Sequence, residues 1–465
     1  MHRSSKRPEL LLSVVRHQHL PMHRQILQAL RDAIRERRLQ PGEAVPSTRT
    51  LAADLGVSRG VVVEAYDQLI AEGYLISAPR ASTRVSDFVR APTPEPAEPE
   101  SQRLEFDFRP GEPDLRAFPR EAWRRSFREA LESIEPGQLG YNDPRGVIQL
   151  RTAMADYLSR ARGVVCSATQ IVVCTGCAQG LSVAARVLRS RGVTRVALES
   201  PGHPEIRHII EEAGLATARV PVDDDGLNVD RLEREQVQAV VVSPAHQNPM
   251  GGVLSPVRRQ QLLMWASRVS GFVIEDDYDA EYRYDRPAVG SLQGLAPERV
   301  VYVGSASKIL APALRLGWLV LSGALLERAI EVKRRVDNGC PAVEQLTYAR
   351  FVRSGELDRH LRRMRVQYRC RRDALLDAIS RHCPGWKVRG AAAGLHCVAE
   401  IPKSVDLRRL VERSAARSVR LYPLSGYLSR SPMPHGLVFG YARLTEREIA
   451  EGVRRVGRAL AAGVR

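Results

Sequence analysis

The stretch GSASKILAPALRLG, residues 304–317, contains the side chains best suited to covalent chemistry. Lys308 lies among small and hydroxyl-bearing residues, with Ser305 and Ser307 before it and Arg315 seven positions after it. A lysine that attacks an aldehyde needs a lowered proton affinity and a fixed approach, which small neighbours and a nearby cation provide. The two serines and the forked arginine are donors suited to a phosphate group. This stretch therefore predicts a lysine that anchors a phosphate-bearing aldehyde.

Two further motifs supply polar groups that such a cofactor requires. VIEDDYDAEYRYD places Asp276 and Tyr278 at the end of a predicted buried strand, where a carboxylate is costly unless a cation pairs with it. A pyridinium nitrogen is such a cation. SPAHQNPMGG follows the preceding strand and places the Asn248 amide where it can donate a hydrogen bond to a phenolic oxygen. Both motifs match the needs of pyridoxal 5'-phosphate.

The segment CTGCAQG lies between a predicted strand and a predicted helix. The backbone N–H groups of Gly176, Cys177 and Ala178 would point at an anion there. Cys174 and Cys177 also have the spacing of a zinc or redox pair, but no second pair follows, so we predict no metal site. Each motif alone is compatible with an ordinary turn or cap. Their joint occurrence, in the order phosphate loop, asparagine, aspartate, lysine and arginine, predicts a pyridoxal phosphate site.

These motifs are spread along a chain in which strand-like and helical segments alternate. The strands are short, β-branched and apolar on both faces, as buried parallel strands are, and they read QIVVCTG, RVALES, AVVVSPA, GFVIEDD and RVVYVGS. Ligands of such α/β folds bind at the carboxyl ends of the strands, where the motifs lie. From about residue 330 a long amphipathic helix precedes the strands GLHCVAEI and GLVFGYARL. The sequence thus predicts an α/β domain with a smaller C-terminal α+β subdomain.

The N-terminal part of the chain has a different pattern. It predicts three helices, the second capped by Ser47 and closed by Gly56, the third capped by Ser58, and then two short strands around a polar tip. This order is typical of a winged helix-turn-helix. Arg49 and Arg59 lie at the N-terminal ends of the second and third helices, where they can bind DNA phosphates, and Arg59 could also reach guanine edges.

A proline-rich segment separates the two parts. APTPEPAEPE contains four prolines and three glutamates, the composition of an extended, solvated linker. We therefore predict a DNA-binding domain at residues 1–90, a linker at 91–104 and a cofactor domain at 105–465.

The composition limits the class of protein. A chain of 465 residues with 44% hydrophobic residues is too apolar to be disordered as a whole. Its formal net charge of +17 suits a polyanionic partner such as DNA, although much of the excess lies on predicted helix surfaces. Because the sequence contains neither a run of about 18 apolar residues nor a secretory signal, we expect a cytoplasmic protein without a membrane partner.

The stretch PGEAVPSTRTLAADLGVSRGVVVEAYDQLIAEGYL closely resembles the GntR-type winged helix-turn-helix. The resemblance implies that Arg49, Ser58 and Arg59 contact operator DNA. It also implies that the tip of the wing, near Ser82 and Thr83, lies in or beside the minor groove. The wing departs from the family, because it reads RASTR where the family usually has GSGT.

The order of the cofactor motifs resembles that of the fold-type I aminotransferases. Combined with a GntR-type head, it resembles the MocR/PdxR class of bacterial transcription regulators over nearly the whole chain. GLAPERVVYVGSASKILAPALRLGWLV, IEDDYDAEYRYD and SPAHQNPMGGVLS carry this resemblance. It implies that Lys308 forms the internal aldimine, that Asp276 pairs with the ring nitrogen, and that Asn248 and Tyr278 hold the phenolic oxygen.

The same resemblance assigns further residues. Tyr141, in LGYNDPRG, would reach the phosphate of a partner subunit, which implies a homodimer. His203, in SPGHPEIR, stands where the class mostly has an aromatic residue that stacks on the pyridine ring. The groups implied to bind the phosphate are Ser305, Ser307, Arg315 and the Gly176 loop, including Cys177 and Ala178.

Three functions are compatible with these features. The first is a transcription regulator that senses pyridoxal phosphate, or an amine or amino acid, at Lys308 and controls genes of vitamin B6 or amine and amino-acid metabolism. The second is an aminotransferase with an accessory head, which would need a cation for the substrate carboxylate, and the candidates are Arg443 and Arg430. The third is a DNA-binding scaffold with a vestigial pocket. We favour the regulator because an enzyme has no need of a DNA-binding head.

Overall fold

The computed structural model of the protein describes residues 14, 20–77, 82–87, 104–285, 289–427 and 435–462. The chain divides into two compact units, Met1–Gln102 and Arg103–Arg465. Among the described residues, no helix is both long enough and apolar enough to cross a membrane.

Within its described residues, the first unit contains three helices and a two-stranded antiparallel sheet. Its elements are α1 Met22–Arg35, α2 Thr48–Leu55, α3 Arg59–Ala71, β1 Leu75–Ile76 and β2 Arg84–Val85. Ile26, Leu30 and Ile34 form the buried face of α1, and they share a core with Val62 and Leu69 of α3. The predicted winged helix-turn-helix fold is therefore confirmed.

Local sequence determines how α2 begins and ends. The side chain of Ser47 accepts a hydrogen bond from the Thr50 N–H at 3.1 Å, and Gly56 ends the helix in the left-handed region, at a φ of 61°. Ser58 stands at the predicted N-cap position of α3, but its side chain makes no capping hydrogen bond. Its hydroxyl is instead exposed at the start of α3, where a DNA phosphate could accept from it.

The second unit is a larger α/β fold. Its helices are α4 Arg120–Ser133, α5 Ile148–Arg162, α6 Cys177–Ser190, α7 Pro204–Glu212, α8 Val229–Arg234, α9 Pro256–Arg268, α10 Gly323–Val336, α11 Ala342–Arg353, α12 Glu356–His382, α13 Leu407–Ala415 and α14 Glu446–Ala461. Its strands are β3 Phe106–Asp107, β4 Ile171–Cys174, β5 Arg195–Ser200, β6 Ala216–Asp223, β7 Gly226–Leu227, β8 Ala239–Val242, β9 Phe272–Asp277, β10 Val300–Ser305, β11 Gly317–Val320, β12 Lys387–Arg389, β13 His396–Glu400, β14 Val419–Arg420, β15 Tyr422–Pro423 and β16 Gly436–Gly440.

Eight strands form one sheet, in the order β4-β11-β10-β9-β8-β5-β6-β7. The five predicted strands are present as β4, β5, β8, β9 and β10, and they are almost entirely buried. The sheet is mixed rather than wholly parallel, because the unpredicted β11 pairs antiparallel with both β10 and β4. These two antiparallel steps leave β4 parallel to β10. The carboxyl end of β4 therefore lies at the same edge as those of β5, β8, β9 and β10.

Helices cover both faces of this sheet, as the predicted α/β architecture requires. Leu181 of α6 and Ala329 of α10 pack with the strands on one face. Leu262 and Trp265 of α9 pack on the other. The carboxyl edge of the sheet is left to the loops that carry the predicted cofactor residues.

The C-terminal subdomain contains a four-stranded antiparallel sheet in the order β12-β13-β16-β15. The two predicted strands of this subdomain are β13 and β16, which are neighbours. The short strand β3, close to the linker, pairs in parallel with β14, and the rings of Phe106 and Phe108 are buried beside α14. The chain therefore enters the second unit through this subdomain.

Candidate cofactor site and DNA-binding residues

The two adjacent carboxylates at the end of β9 have different surroundings. Successive strand residues point to opposite faces, and Asp277 forms a buried ion pair with Arg162, at 2.7 Å, and accepts a hydrogen bond from Tyr302. Asp276 accepts only a weak hydrogen bond from Cys177 Sγ, at 3.4 Å, and burial raises the pKa of its carboxyl to about 6. A carboxylate in this position favours a cationic partner such as a pyridinium nitrogen.

Lys308 lies in the loop after β10 and is half-buried. Burial lowers its pKa below the usual value, and the negative charges nearby, first that of Asp279, oppose this shift. The Nζ atom of Lys308 also lies close to the backbone of Gly111, because a Cβ built on that glycine would lie only 3.6 Å from Nζ. Lowering the pKa increases the fraction of neutral amine, the form that attacks an aldehyde.

Arg315 and the N-terminus of α6 form a site suited to a phosphate. Arg315 adopts the left-handed conformation, with φ 49°, and its Nη2 donates to the Thr175 carbonyl at 2.5 Å. Gly176 precedes α6 with a φ of 93°, and a Cβ there would lie 3.1 Å from both Nη atoms of Arg315. The guanidinium thus lies against the turn from which the first N–H groups of α6, those of Cys177 and Ala178, emerge.

Ser305 and Ser307 approach the same edge from β10. Ser305 is the last residue of that strand and is buried, whereas Ser307 is half-buried and directly precedes Lys308. Both serines therefore adjoin Lys308, Ser305 at the end of β10 and Ser307 in the loop that also contains Arg315.

The loop after β8 places the side-chain amide of Asn248 at the site. Asn248 Oδ1 is buried and has no hydrogen-bond partner among the residues that the structure describes. Buried polar atoms are rarely left unpaired, so this oxygen is available to a donor, and the Nδ2 amide of the same side chain is the group that can donate to a phenolic oxygen. Tyr278, in the loop after β9, is buried, and its hydroxyl lies 2.9 Å from His246 Nδ1.

His203 and Glu199 line a small cavity beside Asn248. Burial, assisted by Lys308, lowers the pKa of His203, which favours a neutral ring at this position. The Nδ1 atom of that ring accepts a hydrogen bond from the backbone N–H of Glu205 at 3.3 Å. Burial raises the pKa of Glu199 to about 8, although its carboxylate accepts from the Ser243 N–H at 3.2 Å.

These residues fit pyridoxal phosphate as a set. The structure places a buried carboxylate near Lys308, an amide with an unpaired oxygen, a lysine of lowered pKa and a helix N-terminus with an arginine at one edge of the sheet. Pyridoxal phosphate requires groups of these kinds for its ring nitrogen, phenolic oxygen, aldehyde and phosphate.

The remaining predicted cofactor and effector residues are Tyr141, Arg443 and Arg430. Tyr141 is 93% exposed, so it is available to a second subunit, and its role stays a prediction. Arg443 is already paired, with Glu112 at 3.0 Å and Asp107 at 3.3 Å. Arg430 lies outside the described residues.

The predicted DNA-binding residues are on the surface of the first unit. Arg49, Ser58, Arg59 and Ser82 are exposed, and Thr83 is half-buried. Arg59 Nε donates to Thr48 Oγ1, at the start of α2, across 3.4 Å, so its guanidinium lies near the N-termini of both helices. This arrangement suits phosphate binding.

Two family profiles match the chain. Residues 22–85 match the bacterial regulatory proteins of the gntR family, and residues 107–455 match aminotransferase class I and II. A curated relative, the pyridoxine biosynthesis transcriptional regulator PdxR of Corynebacterium glutamicum, is 32% identical over 438 residues, 93% of this chain and 94% of that protein. The chain belongs to the MocR/PdxR-type transcriptional regulators.

Other similar proteins agree with both halves of this MocR/PdxR-type regulator. An HTH-type regulator of uncharacterised role, YdeL of Bacillus subtilis, is 34% identical over 452 residues, 94% of this chain and 96% of that protein. The solved multiple substrate aminotransferase of Thermococcus profundus superposes with a TM-score of 0.71 at 25% identity, covering 78% of this chain and 93% of that one. Aminotransferases of class I and II depend on pyridoxal phosphate, so the family supports this cofactor.

Sequence reasoning missed several contacts in this regulator. No role was predicted for the thiol of Cys177, yet it donates to Asp276. Glu199, His246 and Asp279 were not selected, although each lies at or near the end of a predicted strand. That shared position was the available signal, because the carboxyl edge of the sheet brings all such residues together.

Proposed function

We propose that this regulator binds operator DNA through its first unit and changes its DNA affinity when pyridoxal phosphate, or an amine that reacts with it, occupies the site at Lys308. The observation that carries the proposal is the convergence of Lys308, Asp276 and the Arg315–Gly176 turn at one sheet edge, in a chain that also has a winged helix-turn-helix. Vitamin B6 genes, or genes of amine or amino-acid metabolism, are the proposed targets.

The proposed roles of the pocket residues follow from their surroundings. When bound, pyridoxal phosphate supplies an electrophilic aldehyde that primary amines can attack. Lys308 offers the amine that anchors it, and Asp276 offers the negative charge for the ring nitrogen. Asn248 and Tyr278 are assigned to the phenolic oxygen. The phosphate is assigned to the N-terminus of α6 at Gly176, Cys177 and Ala178, with Ser305, Ser307 and Arg315.

In the DNA-binding unit, Arg49, Ser58 and Arg59 are assigned to the operator because they are exposed at helix N-termini. Ser82 and Thr83 are assigned to the wing contact. A homodimer would present two such units to paired half-sites, and Tyr141 would reach the phosphate in the second subunit's site.

A connector segment, residues 104–112, offers a physical route between the pocket and the DNA-binding unit. It begins where the proposed linker ends, forms β3, and reaches Lys308 at Gly111. Asp107 of this segment accepts from the Tyr422 hydroxyl at 2.8 Å, and Glu112 pairs with Arg443. A ligand at Lys308 can act on the linker only if it favours one arrangement of this segment over another.

A second candidate function is transamination, favoured by the aminotransferase fold and by Asn248, which is the residue typical of the enzymes. Turnover needs a cation for the substrate carboxylate. Of the two predicted candidates, Arg443 already faces two carboxylates. Steady amino transfer to a keto acid at enzyme-like rates would favour this function over the regulator.

The test of the proposed function measures retention of DNA from upstream of this gene and its neighbours, with and without pyridoxal phosphate. The wild type is compared with K308A and with K403A, which replaces an exposed lysine of the same unit as a matched control. We expect the cofactor to change retention for the wild type and K403A only. Equal retention by all three proteins in both conditions would exclude cofactor sensing.

A further inference from the structure

Three buried side chains meet beside Tyr278, where the large sheet adjoins the C-terminal subdomain. His246 lies in the loop after β8, Asp279 lies in the loop after β9, and His396 is the first residue of β13. None of the three is more than 1% exposed. The sequence alone gave no role to any of them.

The Nδ1 atom of His246 is the centre of this cluster. It lies 3.0 and 3.2 Å from the two carboxylate oxygens of Asp279, and 2.9 Å from the hydroxyl oxygen of Tyr278. An ionised carboxylate can only accept, so the proton of the His246–Asp279 contact lies on Nδ1. Nε2 of the same ring faces the Gly390 carbonyl at 3.4 Å. Asp279 thereby fixes the orientation of the imidazole, and the imidazole in turn contacts the Tyr278 hydroxyl.

The C-terminal subdomain holds the other side of the imidazole. His396 Nε2 donates to the Pro249 carbonyl at 3.1 Å, and the His246 and His396 ring centroids are 5.0 Å apart. Gly394 fits closely against the cluster, because a Cβ there would lie 2.1 Å from His246 Cε1. The His246 ring therefore has little freedom to turn.

We infer that His246 is a positioning residue for Tyr278, and that Asp279 fixes His246 in the orientation this requires. The single Nδ1 proton is shared between Asp279 and the Tyr278 oxygen, so the Tyr278 oxygen accepts and its hydroxyl keeps its own proton for the cofactor's phenolic oxygen. The inference rests on the proposed function, because only that function assigns Tyr278 to the phenolic oxygen.

The same cluster raises the question of a metal ion. The candidate donor atoms of His246, Asp279 and His396 lie within 4.8 Å of one another. Hydrogen bonds already account for two of the contacts, because Nδ1 of His246 faces a carboxylate and Nε2 of His396 faces a backbone carbonyl. We therefore assign the cluster to hydrogen bonding, and metal binding becomes an outcome of the test.

The test is a pH titration of the visible absorbance of the cofactor-loaded full-length protein. A hydrogen bond donated to the phenolic oxygen spreads its negative charge and weakens its hold on the proton of the adjacent Lys308-linked nitrogen. Losing the donation from Tyr278 should therefore raise the pH midpoint of the absorbance change. We expect a rise of about one pH unit in Y278F and a similar rise in H246Q.

The double variant decides whether His246 acts through Tyr278. If it does, the midpoint of H246Q/Y278F equals that of Y278F alone, because the two changes remove the same hydrogen bond. Additive shifts, or no shift in H246Q, would overturn the inference. H246F supplies a second variant, which retains an aromatic ring without nitrogen and should match H246Q, and H208Q, at an exposed histidine of α7, should match the wild type.

Two further readouts do not depend on these variants. Nitrogen-15 spectra of the histidine-labelled wild type should contain a buried histidine protonated on Nδ1 whose signal moves on cofactor loading, and absence of such a signal would contradict the inference. Added Zn²⁺ should leave the absorbance midpoint unchanged, whereas a shift reversed by a chelator would assign the cluster to a metal instead. A wild type that takes up no cofactor would refute the proposed function rather than the role of His246.

Discussion

The two units of this regulator present their functional side chains in opposite ways. In the DNA-binding unit, Arg49, Ser58 and Arg59 are exposed at helix N-termini. In the cofactor unit, Asp276 is buried and Lys308 is half-buried, and burial shifts the pKa of each. Exposed charges attract DNA together, and solvent and salt screen the contribution of each one. The stability of a buried charge depends instead on a single partner. Single substitutions should therefore be tolerated better in the first unit than in the second.

The largest expected effect is on folding, at Asp277. D277N leaves Arg162 as a buried charge without its partner, and this should reduce the free energy of unfolding by about 3–5 kcal/mol. Denaturant unfolding of the cofactor-free protein measures the loss. D276N is the matched control at the adjacent position, and it should not lower the free energy of unfolding. An equal loss of free energy of unfolding in D277N and D276N would contradict the difference between the surroundings of Asp277 and Asp276.

The next effect is on cofactor affinity, at Asp276. D276N should weaken binding of pyridoxal phosphate about 100-fold, or about 2.7 kcal/mol, because an amide cannot balance the charge of the pyridinium nitrogen. An absorbance titration gives the dissociation constant. Unchanged affinity in D276N would remove Asp276 from the cofactor site.

Asp276 should also give the cofactor-free protein a distinct pH dependence. Its pKa is about 6 in the folded protein and about 4 in an unfolded chain, so between these values the folded state retains a proton that the unfolded state has lost. Stability must then fall as pH rises through this window. D276N removes this contribution, and its advantage over the wild type should grow from near zero at pH 4 to about 2.7 kcal/mol well above pH 6. Parallel unfolding curves for the two proteins across this range would rule out the shift.

The smallest effect is expected in the DNA-binding unit. R59A should weaken operator binding roughly tenfold, about 1.4 kcal/mol, and should reduce the slope of log affinity against log salt by about one. Fluorescence anisotropy at several salt concentrations measures both quantities. R408A, at an exposed arginine of α13, serves as the control. Complete loss of operator binding in R59A would contradict the expected difference between the two units, because substitution of an exposed residue would then have as large an effect as substitution of a buried one.

Much of the fold was predictable because the local sequence patterns agree with the faces that the folded chain buries. The helix-turn-helix follows from Ser47, Gly56 and the apolar face of α1, and five strands follow from their apolar, β-branched runs. Strands β6 and β11 were not predicted. β6 is only partly buried along its length, and β11 is four residues long and directly follows the lysine loop.

The candidate site was predictable where a motif carries its own chemistry. Lys308, Asp276, Gly176 and Arg315 lie in recognisable stretches, and the structure gathers them at one sheet edge. The contacts that depend on side-chain direction were not predictable. Periodicity shows that Asp276 and Asp277 face opposite ways, but not which of them meets Arg162, a residue more than 100 positions away in sequence.

We propose that the two units are coupled through Lys308. The affinity for pyridoxal phosphate, measured with and without operator DNA, tests this coupling directly. If the cofactor changes DNA affinity, then DNA must change cofactor affinity by the same factor, because binding free energies are linked. We expect both affinities of the wild type to change by the same factor, about five or more. Cofactor affinity that is identical with and without the operator would contradict it.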